Sequence, residues 1–393
     1  MVIKNKSEND IVNTLYNFIK DSNTRVVVSA VNTLNEIMLE EGGIAINGRI
    51  IIHMLGRLSN FDEYGQTVVL EMVSRYMPKD QDELYDIMNH LADKLKDSSP
   101  SVTLATVKVL IKFVDYDAEL TEQVMGKIKT PLLSLVTTSS MEMRYVVVSH
   151  IHNLIKRGTA KYFSENYKAF YCQADDLSYI QSVKMDILVK LANHENLIDI
   201  LNELGEYSSD IDAFLSCLAI TTFGKLGYRF PEKVQYIVKQ LSYFVKINKT
   251  HLLDDITIAF KLILSSNANL SEATNIYQYI GDLFQNVHSE EAKIALIWIL
   301  GEHGTSIEVA PYFLENLVRD LAAEPNTAHT VEYRLAVGHS LTTAIKRRCE
   351  AVHSATSRDA SMSIAVVQAY LEELGRGYRR FEQGRLLLQH AER

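Results

Sequence analysis

Polar turns followed by apolar-periodic stretches recur along the chain, as in DSNTRVVVSAV at 21–31, NFDEYGQTVVL at 60–70 and Asp97 with the SSPSVTLATV that follows it at 98–107. Further copies open at Ser139, Asp175, Ser208, Lys249 and His288, so successive spacings are 39, 37, 42, 36, 33, 41 and 39 residues. Ten residues after each of the first three openings come Val31, Leu70 and Val107, and three further on Leu34, Val73 and Leu110. These offsets share one face of a helix. Asp21, Asn60 and Asp97 suit a helix N-cap or the turn before it, where a short side-chain oxygen accepts from free backbone N–H groups. Between the copies the pattern predicts a second amphipathic helix. In residues 81–95 its stripe is Leu84, Ile87, Met88, Leu91 and Leu95.

One such pair of helices cannot bury its stripe alone, so neighbouring pairs must stack on a continuous core. The period is close to the ~40–47 residues of HEAT and armadillo units and too long for the 34-residue tetratricopeptide unit. The expected fold class is all-α, a right-handed α-solenoid of HEAT/armadillo-like helix pairs. Composition agrees. Gly 17 and Pro 6 in 393 residues leave too little turn chemistry for a sandwich or barrel, and 47% hydrophobic with 23% charged residues excludes a disordered chain. The longest unbroken apolar run, 294–300, is far short of the ~20 residues of a membrane span. The polar start, Lys4 to Asp10, carries no apolar core of a secretory signal. Cys172, Cys217 and Cys349 are odd in number and far apart, which argues against a disulfide framework and a zinc site and for a cytosolic setting.

The net charge of −9 hides an asymmetry. Residues 1–320 carry 30 Lys and Arg against 41 Asp and Glu, whereas 321–393 carry 10 against 8, with Lys346 the only lysine of that segment. An acidic body without a basic stripe does not fit nucleic acid. The change of composition near Pro325 sets 1–320 apart as a solenoid segment and 321–393 as an atypical Arg/Ala-rich helical tail, the kind of break that a misassembled reading frame or a fused segment would produce. Arg376, Arg379, Arg380 and Arg385 in that tail offer a weak case for acidic lipid.

Candidate chemistry is sparse, and no catalytic, cofactor-binding or metal-binding residue is assigned. The run Gly301, Glu302, His303, Gly304 lacks a nucleophile and zinc-ligand spacing, and reads as a helix end. His150 and His152 are two apart on a helix and point in different directions. Asp115, Asp117 and Glu119 read as a solvated loop, since the fixed offsets of a calcium loop are absent. Trp298, the only tryptophan, is expected in the core with its indole N–H paired. Tyr162, Tyr167, Tyr171 and Tyr179 have too few interleaved basic residues (Lys161 and Lys168) for a nucleic-acid stacking platform and read as packing.

Residues 10–320 resemble the trunk of the β-adaptins, the large β subunits of heterotetrameric adaptor complexes. The resemblance rests on EGGIAIN at 41–47, YGQ at 64–66, PKDQDELYDIM at 78–88, YIQSVKMDIL at 179–188, ANHENLI at 192–198, LNELGEYSSD at 201–210 and ALIWILGEHG at 295–304. EGGIAIN and IEVAPYFL at 307–314 point toward the β subunits of the fourth adaptor complex. The resemblance implies a non-enzymatic scaffold, without cofactor or small-molecule substrate. It would meet the other large subunit, the medium (mu) subunit and the small (sigma) subunit on the cytoplasmic face of trans-Golgi or endosomal membranes. In the family about three further repeats precede this region and meet an Arf-type GTPase and acidic lipid, while more trunk, a hinge and an appendage follow it. These are expected to be missing here, leaving Ile11, Leu15, Phe18 and Ile19 partly uncovered and the chain prone to self-association. The alternative is another HEAT-repeat scaffold, a nuclear-transport receptor or a phosphatase scaffold, which shares the period but not those ordered segments.

Overall fold

The structure is a computed structural model describing residues 2–38, 44, 47–114, 120–138, 140–247, 249–266, 275–307, 310, 313 and 343. Among the described residues every regular element is helical. Two compact units divide at Leu191 and Ala192. The first contains α1 (Val2–Phe18), α2 (Thr24–Ile37), α3 (Gly48–Gly56), α4 (Glu63–Ser74), α5 (Gln81–Ala92), α6 (Pro100–Val114), α7 (Leu120–Thr138), α8 (Met141–Leu154), the single turn α9 (Ala160–Phe163) and α10 (Ser178–Leu191). The second contains α11 (Leu197–Tyr207), α12 (Ala213–Arg229), α13 (Val234–Lys246), α14 (Leu253–Ser265), α15 (Ile280–Asn286) and α16 (Glu290–His303).

Each unit is built by stacking in two layers. In the first, α2, α4 and α6 pack side by side while α3 and α5 pair beside them. In the second, α12, α14 and α16 form one row, and α11 and α13 flank it. The chain is therefore all-α and of the helical-solenoid class. The register read from the sequence holds in the core: Val31, Leu70, Val107, Leu34, Val73 and Leu110 are all at most 1% exposed. The whole stripe Leu84, Ile87, Met88, Leu91 and Leu95 is buried, with Leu95 on a 3₁₀ turn (Asp93–Lys96) that follows α5.

The helix starts are set by short side chains slightly later than the repeat openings. Asn23, Asp62, Asp80, Ser140, Asp212 and Ser289 each accept a backbone N–H in the first turn of their helix. Asp21 and Asp97 lie in the turns before these, accepting from Asn23 N at 2.7 Å and Ser99 N at 3.0 Å. Asn60 ends a 3₁₀ turn and leaves the cap to Asp62, because two more residues are needed to aim an oxygen at the free N–H groups.

The repeat fails locally between α8 and α10. Instead of one long second helix, the chain passes through a π turn (Ile155–Thr159), α9 and a 3₁₀ segment (Ser164–Phe170). Gly158 has φ 99°, a left-handed conformation that side chains other than glycine adopt at a cost, and it breaks the helix there. At the start of the chain Ile11 and Phe18 are exposed and Leu15 is half-buried. Ile19 departs from the expectation: it is fully buried, because the turn from α1 into α2 folds it inward.

Candidate interaction surface

The loop 171–177, which leads into α10, is held by a buried ionic network. Arg144 from α8 donates through one terminal nitrogen to Asp176 at 2.8 Å and to both oxygens of Asp175 at 3.2 Å. Lys184 from α10 pairs with the other oxygen of Asp176 and donates to the Tyr171 carbonyl at 3.1 Å. That Asp176 oxygen also accepts from Gln173 N at 2.8 Å. Asp176 and Lys184 have no exposed side-chain surface, whereas Asp175 is half exposed. Two cations and two anions balance, so the network places no net charge in the interior and instead fixes the loop against both helices.

The guanidinium of Arg144 holds the Asp175 carboxyl below the usual carboxylate range, and both aspartates raise the Arg144 group in return. Because the folded form binds its proton less tightly, the Asp175 contribution to stability is present at neutral pH. It is lost as pH falls below the ordinary carboxylate value.

On this fixed base sits an exposed aromatic cluster. Tyr145 of α8 and Tyr179 of α10 meet edge to face, ring centroids 4.9 Å apart. Met141 lies one turn before Tyr145 on the same face of α8, and Leu177 immediately precedes α10. All four are between 38% and 45% exposed. Tyr and Met side chains, half in water and carried by a firm backbone, are the composition that protein interfaces favour over the rest of a surface. The cluster can bind; it contains no nucleophile with a base beside it.

The other candidates fall into place around it. Tyr179 belongs to this exposed cluster and so is not purely a packing residue. Tyr167 and Tyr171 meet edge to face at 6.0 Å, and Lys161 and Lys168 lie over the Tyr162 and Tyr167 rings. His150 and His152 are partly buried with unpaired ring Nε2 atoms, and both are held below the usual imidazole range. Burial is the main cause, but the charged neighbours differ: Arg157 and Lys108 add to it for His150, whereas for His152 Lys156 and Lys190 add to it and Asp186 opposes it. His303 closes α16 and shares a hydrogen bond with the Tyr277 hydroxyl at 3.1 Å, while Gly304 opens a 3₁₀ turn. Trp298 is half-buried, edge-on to His303, where core burial is expected from its apolar helix; it lies on the side of α16 that the row of buried residues leaves open. Asp115, Asp117, Glu119 and the four tail arginines lie outside the described residues. Among the described residues no cluster of His, Cys, Asp and Glu could hold a metal, and no helix is long and apolar enough to cross a membrane.

One unfavourable carboxylate stands out in the second unit. Burial, reinforced by Asp254 and Glu291, raises the Asp255 carboxyl against the opposing effect of the Cys217 thiol, and the thiol is itself pushed up to about 12. The folded form binds this proton more tightly, so stability declines as pH rises from the ordinary carboxylate value through the raised one. Asp255→Asn is therefore expected to raise the thermal unfolding midpoint at pH 7. The advantage should vanish near about pH 3, where both states are protonated. Melting curves at the two pH values check it, and a variant less stable at pH 7 would refute it.

The segments quoted from the sequence and the stacked helix pairs agree with the comparisons. The family model for the adaptin N terminal region matches residues 2–363. Beta-adaptin-like protein A of Arabidopsis thaliana is 33% identical over 337 residues, covering 83% of this chain and 39% of that protein. AP-4 complex subunit beta-1 of Mus musculus is 31% identical over 327 residues, covering 83% of this chain and 44% of that protein. AP-1 complex subunit beta-1 of Homo sapiens is 28% identical over 316 residues, covering 78% of this chain and 33% of that protein. The chain thus spans 39% to 44% of the length of the first two. Among structures, a homology model of the full-length AP-3 complex in an intermediate open conformation superposes with a TM-score of 0.62 at 16% identity, over 93% of this chain and 66% of the other, a likeness of fold. With a family match over most of its length and β-adaptin relatives above 30% identity, this chain belongs to the adaptin family, among the β-adaptins.

Proposed function

We propose that the chain is a trunk segment of an adaptor-complex β subunit, acting as a scaffold and performing no chemistry of its own. The carrying observation is the adaptin match over 2–363, laid on stacked helix pairs whose buried stripes leave their outer faces for partners. Its role is mechanical: many modest contacts along the helical surface hold the other large subunit and the medium subunit, with the small subunit elsewhere in the complex. The Tyr145–Tyr179 cluster is a natural anchor for one such contact. On this reading residues 1–320 are the working segment and 321–393 a tail set apart by its composition, the adaptin match running on into it as far as residue 363. A fourth-complex type is supported by the AP-4 relatives and the motif at 41–47, and service in cargo sorting at the trans-Golgi network or endosomes is the role proposed with it. An Arf-type GTPase and acidic lipid would be met through repeats that precede this region in longer relatives.

Co-expression with the other large, medium and small adaptins tests the reading. Tagged full-length chain is expected to recover the medium and the other large subunit in stoichiometric amounts. Recovery of a nuclear-transport GTPase or a phosphatase catalytic subunit in their place would overturn it in favour of another helical-repeat scaffold.

A further inference from the structure

Two unrelated structural demands meet at residues 47 and 48. The start of α3 needs a short side-chain oxygen for its free N–H groups, and Asn47 supplies it, accepting from Ile50 N at 3.0 Å. The packing of α3 on α5 needs a glycine at 48. Glu83, in the first turn of α5, has its carboxylate held by the Tyr76 hydroxyl at 2.7 Å and Lys79 N at 2.8 Å, and a Cβ on Gly48 would fall onto that carboxylate. Glycine is imposed here by a close approach.

Together the two demands write Asn-Gly, a dipeptide that occurs once in the 393 residues. An asparagine side-chain amide is open to attack by the backbone nitrogen of the next residue, and glycine leaves that nitrogen without a side chain to shield it. Asn47 is exposed, so solvent reaches the amide. The cap geometry opposes the attack. At φ −112° and ψ 158° the Asn47 Cβ is turned well out of the plane of the peptide group that leads to Gly48, whereas ring closure requires Cβ, Cα, C and N in one plane. Reaching that plane breaks the bond to Ile50 N, so the reaction waits for the first turn of α3 to open.

We propose that Asn47 is a site of spontaneous covalent modification, gated by the α3 cap. In the open form the Gly48 nitrogen bonds to the side-chain carbonyl carbon of Asn47 and gives up its proton, the side-chain amide leaves as ammonia, and a cyclic imide remains. Water then adds to one of the two imide carbonyls. Breaking the bond from nitrogen to the side-chain carbonyl carbon gives aspartate, which caps as well as asparagine does and suits the positive end of the helix. Breaking the bond from nitrogen to the main-chain carbonyl carbon gives isoaspartate, whose main chain runs through the former side chain and is one carbon longer. That product loses the oxygen aimed at Ile50 N and shifts Gly48 off its seat against Glu83. The helix, with Ile51, Met54 and Leu55 on its buried face, then loosens from α5. The site is independent of the scaffold reading and of any partner.

The full chain is incubated at neutral pH, folded and in denaturing urea, and asparagine conversion is followed by peptide mapping with mass spectrometry, aspartate and isoaspartate being separated by chromatography. In the folded chain Asn47 is expected to convert ahead of every other asparagine, yet at least about tenfold more slowly than in urea, the factor by which the closed cap withholds it. Asn47→Asp is expected to melt within about 2 °C of the unmodified chain. Folded chain enriched in isoaspartate is expected to exchange its α3 amide hydrogens at least about tenfold faster. No conversion at Asn47 in the folded chain, another asparagine ahead of it, or equal rates with and without urea would overturn the gated site. A much lower melting midpoint for Asn47→Asp, or unchanged α3 exchange in the isoaspartate form, would overturn the assignment of the damage to the isoaspartate product.

Discussion

Replacing Asp176 by alanine is expected to lower the stability of the first unit by about 3–5 kcal/mol, the usual result of stripping one partner from a buried ion pair. The Lys184 ammonium, with no exposed side-chain surface, would be left with the Tyr171 carbonyl as its remaining anchor. Arg144 would keep only the half-exposed Asp175, and Gln173 N would lose its acceptor. The loop 171–177 would loosen, and with it the Tyr145–Tyr179 cluster built on it. Asp175→Ala removes an anion that water already reaches and is expected to do far less. Replacing Arg144, Asp176 and Lys184 together by apolar residues of similar volume is expected to recover much of the loss, since the desolvation of all three charges disappears with their attraction. Urea unfolding followed at 222 nm for the three variants checks the order. An Asp176→Ala chain as stable as the wild type would show that the network contributes little.

Gly224→Ala should destabilise the second unit by about 1–3 kcal/mol, although alanine is the better helix former. Its Cβ would lie 2.7 Å from the Ala259 Cα and 2.9 Å from the Ala259 Cβ, so α12 and α14 would have to move apart. Backbone cannot swing aside as the end of a side chain can. The neighbouring Gly227 faces Ile263 Cγ1 at 2.7 Å, where a rotamer change offers some relief. Gly205→Ala provides the contrast: with open space above it, only the helix preference acts, and stability is expected to rise by about 0.5–1 kcal/mol. The opposite signs of two identical substitutions, measured side by side in denaturant, are the result to look for. A gain at both positions would mean that α12 and α14 are not held at this separation.

The fold class was written in the spacing of apolar residues, because a helix turns a repeat of three or four into a face and a face must be buried. Val31, Leu70 and Val107 reach the core at the register their sequence positions imply, and the ordered motifs from 41 to 304 identify the family. The first helix starts were legible to within a few residues, since Asp21, Asn60 and Asp97 mark the turns though Asn23 and Asp62 do the capping. What the sequence could not disclose depends on groups distant along the chain meeting in space. Arg144 is 32 residues from Asp176, and neither has a local pattern that announces a buried pair; a charged residue on the apolar side of α8, read by helical phase, was the one available signal. Tyr145 and Tyr179 likewise share a surface only because α8 and α10 pack together. The break at Gly158 and the vacant space over Gly205 were equally silent, for a glycine letter is the same whether it permits a left-handed turn, a close helix approach or a notch. Periodicity, a property of neighbours along the chain, determined that this protein stacks helices. Which side chains the stack brings together and which it leaves facing water was decided by packing across tens of residues, and the interaction surfaces are made of those choices.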